Sequence, residues 1–168
     1  MTSTQATAGS ATAGLLPVTS DRQNLIEHQT RDVIAMMLDL VRDQLKVPQA
    51  MVTLGRERPA SVVITAGDVP AEAIEPVLSR ICLDAGGRLV VDDTATLDAP
   101  LCDEMSSERI GAYLGLALVD AVGRPVGVVC AADTRPRAWS KRDVDTLRGL
   151  ATVIDTELRT VGIRAEAA

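Results

Sequence analysis

The sequence predicts an α+β fold, an antiparallel sheet with helices from both ends of the chain on one face. Three observations carry this. Long amphipathic stretches stand near the two ends, Arg22 to Val47 and Val144 to Val161. Between them lie short apolar runs bounded by Gly, Pro and Asp. The last two runs, Ala112–Asp120 and Val126–Ala132, flank the turn Ala121-Val122-Gly123-Arg124 and read as a hairpin. With 168 residues and no internal repeat, the chain suits one domain, 21–162, plus short extensions.

The elements follow in order. Residues 1–20 are rich in Thr, Ala, Ser and Gly, lack apolar periodicity and read as a disordered tail. Ser20 or Asp21 offers a helix cap. The helix behind it repeats Ile26, Val33, Met37, Leu40 or Val41, and Leu45 at helical steps, and Pro48 ends it. Ile34, Met36 and Leu38 widen its apolar face, and the Met36-Met37 pair reads as core filling. Ala50–Leu54 and Ala60–Thr65 are strands around the polar turn Arg56–Pro59. Ala71–Ala85 is a helix with Ile74, Val77, Leu78, Ile81 and Cys82 on one stripe, closed by Gly86-Gly87.

Leu89–Val91 is a third strand running into Asp92-Asp93. The long connection Thr94–Glu108, with Pro100 and Cys102 and a short helix near Met105–Arg109, reads as a lid or pocket wall. In the final hairpin, alternation puts Val126, Val128 and Cys130 on one face and Gly127, Val129 and Ala131 on the other. Ser140 caps the last helix, with Asp143 at the third helical position as a capping box. Val144, Leu147, Ala151, Ile154, Leu158 and Val161 then repeat at steps of three and four. That seam fits either packing on the sheet or pairing with a second subunit. Residues 163–168 should fray.

Composition narrows the function. The net charge of −6 and the near absence of aromatics, one Trp and one Tyr, argue against nucleic acid. The basic group Arg135, Arg137, Lys141 and Arg142 reads as a solvated loop and helix start. No apolar run approaches the roughly 18 residues a membrane span needs. No signal peptide is visible, so the expected setting is cytoplasmic. His28 is the only histidine and no CxxC pair exists, which leaves no metal site of usual spacing and no Ser-His or Cys-His pair. A P-loop and a dinucleotide GxGxxG are absent, and no cofactor is called for. Acidic Asp92, Asp93, Asp103 and Glu104 read as solvated loop residues.

Of the three cysteines, Cys82 on a helix stripe and Cys130 in a strand read as small buried hydrophobes. Cys102 lies in the loop, where Asp103 and Glu104 disfavour its thiolate. The Asp133–Trp139 loop reads as a brace, with Trp139 anchoring the helix start against the sheet.

Gly111-Ala112-Tyr113-Leu114-Gly115, Val126-Gly127-Val128-Val129-Cys130 and Asp133-Thr134-Arg135-Pro136-Arg137-Ala138-Trp139 together resemble a GAF domain of the bacterial sensory type. The likeness extends from Arg80-Ile81-Cys82 through Leu89–Asp93 to the end of the last helix. Two positions depart from it: Ala117 stands where relatives often have Pro, and Ile81 where an aromatic is common. The resemblance implies a five- or six-stranded antiparallel sheet, terminal helices on one face that often pair in a dimer, and a small-molecule pocket on the other. Carried onto this chain, the pocket takes Asp92, Asp93, Cys102, Met105 and Tyr113, and the dimer seam Val144, Leu147, Ala151, Ile154 and Leu158.

The cyclic-nucleotide signature and an axial haem histidine are missing, and Cys102 lacks the His- and aromatic-rich surroundings of a bilin cysteine. The expected function is a non-enzymatic sensor, a homodimer that binds a small ligand or a signalling protein. The alternative is a thiol oxidoreductase resembling free methionine sulfoxide reductase, with Cys102 catalytic and Cys82 resolving.

Overall fold

The structure, a computed structural model, describes residues 20–55, 62–67, 77–98 and 110–161, with the backbone alone at 20–27, 62, 63 and 77. The two tails (apart from Ser20), the Arg56–Pro59 turn, the start of the Ala71 helix and the Met105–Arg109 helix lie outside the described residues. In chain order the elements are α1 (Ser20–Leu45), β1 (Gln49–Leu54), β2 (Val62–Ala66), α2 (Val77–Asp84), β3 (Arg88–Val91), β4 (Ala112–Val119), β5 (Pro125–Asp133) and α3 (Lys141–Thr160). The five strands form one antiparallel sheet in the order β2-β1-β5-β4-β3. The predicted α+β class is therefore observed, and of the five or six antiparallel strands expected, the described residues hold five. β5 is central and buried along its length, which explains its continuous apolar run.

Helices α1 and α3 lie side by side on one face, where α1 covers β1 and β2 and α3 covers β4. The stripe α1 buries is Ile34, Leu38, Val41 and Leu45, offset from the one predicted through Val33 and Met37. Two apolar stripes compete on this broad helix, and the sheet takes the one built from Ile, Leu and Val. Met37 is left partly buried at its margin, and Met36 is not core filling, being 68% exposed. α1 is described from Ser20 onward, and the predicted cap at Ser20 or Asp21 rests on side chains that lie outside the described ones.

Lys46 ends α1 in a left-handed conformation (φ 54) usually taken by glycine, and Val47 N–H donates back to Arg42 O at 3.2 Å. At the end of α2, Gly86 and Gly87 both take positive φ, and Gly87 N–H donates to Cys82 O at 2.8 Å.

The β4–β5 hairpin is closed by Asp120, whose Oδ1 accepts from Val122 N (3.0 Å) and Arg124 N (2.9 Å). Its register shifts at the turn end: Leu118 faces Gly127 but Val119 faces Pro125. Val126 is thereby an extra residue, and a bulge reverses the alternation before it. Val126 accordingly joins the helix-face core, a correction to its predicted pairing with Val128 and Cys130. The ladder's loss at Val119 is made good by α3, where the buried Asp155 accepts the Val119 N–H at 2.9 Å.

Candidate functional site

The face opposite α1 and α3 carries α2 and a second, smaller core. Strand pairing sets Met51, Cys130, Gly115 and Leu89 in one row across the sheet, with Ala132, Tyr113 and Val91 in the next. The Tyr113 ring lies back along β4 over Gly115, where a Cβ would stand 2.7 Å from the ring and 2.8 Å from its hydroxyl. Gly115 is thus required by space. From above, α2 supplies Leu78, Ser79 and Cys82, all buried. Ser79 Oγ reaches Thr53 Oγ1 at 3.4 Å, a long contact between two buried hydroxyls.

Tyr113 is 1% exposed, and its hydroxyl has no hydrogen-bond partner among the described residues. Burial pushes its ionisation well above the ordinary phenol range, and the neighbouring Cys130 and Cys82 thiols push it further. The hydroxyl lies beside both the Cys130 thiol and the Ser79 hydroxyl, but neither approach meets hydrogen-bond geometry. Cys82 and Cys130 are free and buried, as their sequence positions predict. Burial raises Cys82 to about 11 and Cys130 to about 12. Both shifts disfavour the thiolate, the form that carries nucleophilic and redox chemistry.

The other predicted pocket residues divide. Cys102 and Met105 lie outside the described residues. Asp92 and Asp93 turn their carboxylates to backbone. Asp92 Oδ1 accepts from Trp139 N at 3.0 Å, and Asp93 Oδ1 accepts from Ala95 N at 2.9 Å to cap the 3-10 turn Thr94–Thr96. Tyr113 alone of the described set reaches the α2-face core. No group of three His, Cys, Asp or Glu that could hold a metal occurs among the described residues.

The predicted dimer seam requires correction. Val144, Leu147, Ala151, Ile154 and Leu158 are 5% exposed or less and belong to the core that α3 shares with the sheet and α1. Their spacing is the one a helix needs to cover a sheet, so no side chain of the set is left for a second subunit. The solvent side of the helix pair instead carries Met36 and Leu40 of α1 and Val153 of α3.

Sequence reasoning missed Ser79 and Thr53. The signal for Ser79 was its place beside Leu78 and three residues before Cys82 on the apolar stripe of α2. For Thr53 it was the two-residue step from Met51 on β1. Trp139 anchors as predicted, its Nε1 donating to Val91 O at 3.1 Å, and Ser140 with Asp143 forms a full capping box.

The sequence profile of the GAF domain matches residues 29–158. No curated protein matches the chain significantly. Among solved structures, the GAF domain region of a putative membrane protein from Geobacter sulfurreducens superposes with a TM-score of 0.67 at 15% identity, covering 84% of this chain and 99% of that one. The blue-light absorbing form of the Thermosynechococcus elongatus PixJ GAF domain gives 0.64 at 16% identity, covering 81% and 88%. Free methionine-R-sulfoxide reductase from Neisseria meningitidis, in complex with its substrate, gives 0.63 at 15% identity, covering 83% and 84%. At these identities the likeness is one of fold. No helix among the described residues is long and apolar enough to cross a membrane.

Proposed function

We propose that this chain, which belongs to the GAF domain family, is a sensory module that binds a small molecule on the α2 face of its sheet and signals as a homodimer. The observation that carries the reading is the Tyr113 hydroxyl. It is enclosed and has no partner among the described residues. A buried hydroxyl left unpaired costs about 1–3 kcal/mol. A ligand group that accepts its hydrogen returns that energy on binding. The surroundings suit a ligand that is neutral where it meets the sheet: Met51, Val128, Cys130 and Ala132 are apolar or weakly polar, and Thr53 and Ser79 add hydroxyls.

The redox alternative finds no support at Cys82, whose raised pKa disfavours the thiolate a resolving cysteine needs. For the homodimer, the candidate surface is the solvent side of the terminal helices, where Met36 is 68%, Leu40 47% and Val153 45% exposed. Met36 and Leu40 stand one turn apart on α1, and their burial against a second copy would remove them from water.

Native mass spectrometry of the purified protein, before and after incubation with a bacterial metabolite extract, tests the ligand. A bound mass released on denaturation is expected. Tyr113→Phe should weaken its retention about tenfold while leaving the urea midpoint unchanged or slightly higher, because the hydroxyl removed has no partner among the described residues. Unliganded protein under both conditions overturns the ligand reading. Light scattering at micromolar concentration tests assembly: a wild-type monomer removes the dimer, and a dimer that survives Met36→Glu with Leu40→Glu removes this surface as its interface.

A further inference from the structure

The sheet separates two cores, and the loop from β5 to α3 passes around its end and touches both sides. Toward the α2 side it grips the start of the segment after β3. Arg137 N–H donates to Asp92 O at 2.8 Å, Trp139 N–H to Asp92 Oδ1 at 3.0 Å, and Trp139 Nε1 to Val91 O at 3.1 Å. That segment continues through buried Thr94 to Leu97, which packs in the α2-face core beside Ile110.

Thr94 also closes the segment on itself. Its N–H donates to Gly111 O at 2.9 Å, and its Oγ1 to Ile110 O at 2.6 Å. Gly111 returns to the same loop, its N–H donating to Asp133 O at 2.7 Å. A Cβ on Gly111 would stand 2.5 Å from the Arg135 backbone, so entry, exit and loop are in direct contact.

Toward the helix face the loop presents Arg137. Its guanidinium donates to Lys46 O at 3.3 Å, on the left-handed residue that ends α1. A positive charge there is favoured by the carbonyls at a helix C-terminus. The same guanidinium stands 3.7 Å from Asp133 and 3.9 Å from Asp143, in the first turn of α3, and 4.7 Å above the Trp139 ring. One side chain therefore meets the end of α1, the end of β5 and the start of α3.

We propose that this loop is a mechanical coupler, in which Arg137 and Trp139 pass a displacement of residues 92–98 on the α2 face to the last turn of α1 and the first turn of α3 on the other. Trp139 and the Ser140–Asp143 cap form the α3 arm, and Arg137 is the α1 arm. The left-handed Lys46 is disfavoured for a residue with a side chain, by roughly 1 kcal/mol. Removing the guanidinium from its carbonyl therefore releases a turn that is already costly to hold. The use of this coupling for signalling rests on the function proposed above, but the coupling itself needs no ligand.

Amide hydrogen exchange on the full chain tests it. Asp92→Ala removes one acceptor of the loop. Exchange should rise about five- to tenfold not only at 92–98 but also at 141–144 and 42–47, with β1 unchanged. Adding Asp92→Ala to an Arg137→Ala chain should no longer affect 42–47 while still affecting 141–144. A rise confined to 92–98 and the loop overturns the proposal, as does an α1 response that persists without Arg137. Should Asp92→Ala loosen β1 as well, Thr94→Val, near-isosteric and lacking only the 2.6 Å bond to Ile110 O, replaces it. The same spread at smaller amplitude is then expected, and a change confined to 94–97 and 110–111 refutes the coupler. Tyr113 is intact in every variant, so failure here leaves ligand capture standing, and failure of ligand capture leaves this result standing.

Discussion

The two faces of one sheet are built to different standards. The helix face is closed with Ile, Leu, Val and Ala from six elements, and its largest side chains are almost wholly removed from water. Its buried polar side chain from α3, Asp155, is matched to a backbone donor. The α2 face mixes Met, Tyr, Cys, Ser and Thr, leans one ring over a glycine and leaves a phenol unpaired among the described residues. Aliphatic packing yields stability without chemical distinction. Hydroxyls and thiols gathered under α2 yield less stability but offer something to recognise. The contrast marks the first face as the frame and the second as the face on which the proposed ligand would bind.

Substitutions can break that contrast. The largest effect belongs on the helix face. Leu147→Ala empties a fully buried site between α3 and the sheet and should cost about 2–5 kcal/mol in urea unfolding. A loss below about 1 kcal/mol would mean that this face is not the frame. Gly115→Ala on the other face drives a methyl against the Tyr113 ring, with an expected loss of about 1–3 kcal/mol. If it costs nothing, the ring is free to move and the enclosure of Tyr113 is not fixed.

The smallest effect sharpens the contrast through pH. Burial raises the pKa of Asp155, against the Val119 N–H bond and Arg159, which act to lower it. A raised acid binds its proton more tightly folded than unfolded. Its contribution is full below the unfolded value and is lost as pH rises through the folded one. Asp155→Asn keeps an oxygen for Val119 but cannot ionise. Unfolding free energy should therefore fall less steeply in the variant as pH rises above the ordinary 3.8. Identical slopes would mean that Asp155 meets water more freely than its position implies.

Much of the frame was legible in the sequence because local rules decide it. The hairpin, the Gly86-Gly87 stop, the Ser140 cap and the Trp139 anchor each follow from a few adjacent residues. Three features were not. The seam Val144–Leu158 has a helical period that serves a sheet and a partner helix alike, and only three-dimensional packing distinguishes them. Val126 changes face because strand alternation cannot foresee a bulge. Asp92 and Asp93 look like site carboxylates in a string of letters, but their partners are backbone amides, those of Trp139 being far along the chain. Tyr113 was legible as a site candidate, whereas Gly115, Ser79 and Thr53 gain meaning only once strand register and α2 bring them to it.

The bond between Asp155 and Val119 has a geometric consequence beyond stability. A helix held by aliphatic contacts alone can roll on its axis, since methyl groups slide past one another at little cost. One directional bond 36 residues distant in sequence removes that freedom. Successive residues of an α-helix turn by about 100°, so fixing Asp155 fixes the azimuth of every side chain on α3. The direction in which Val153 points to solvent is thereby an indexed property of the sheet, set at the bulge of its β4–β5 hairpin.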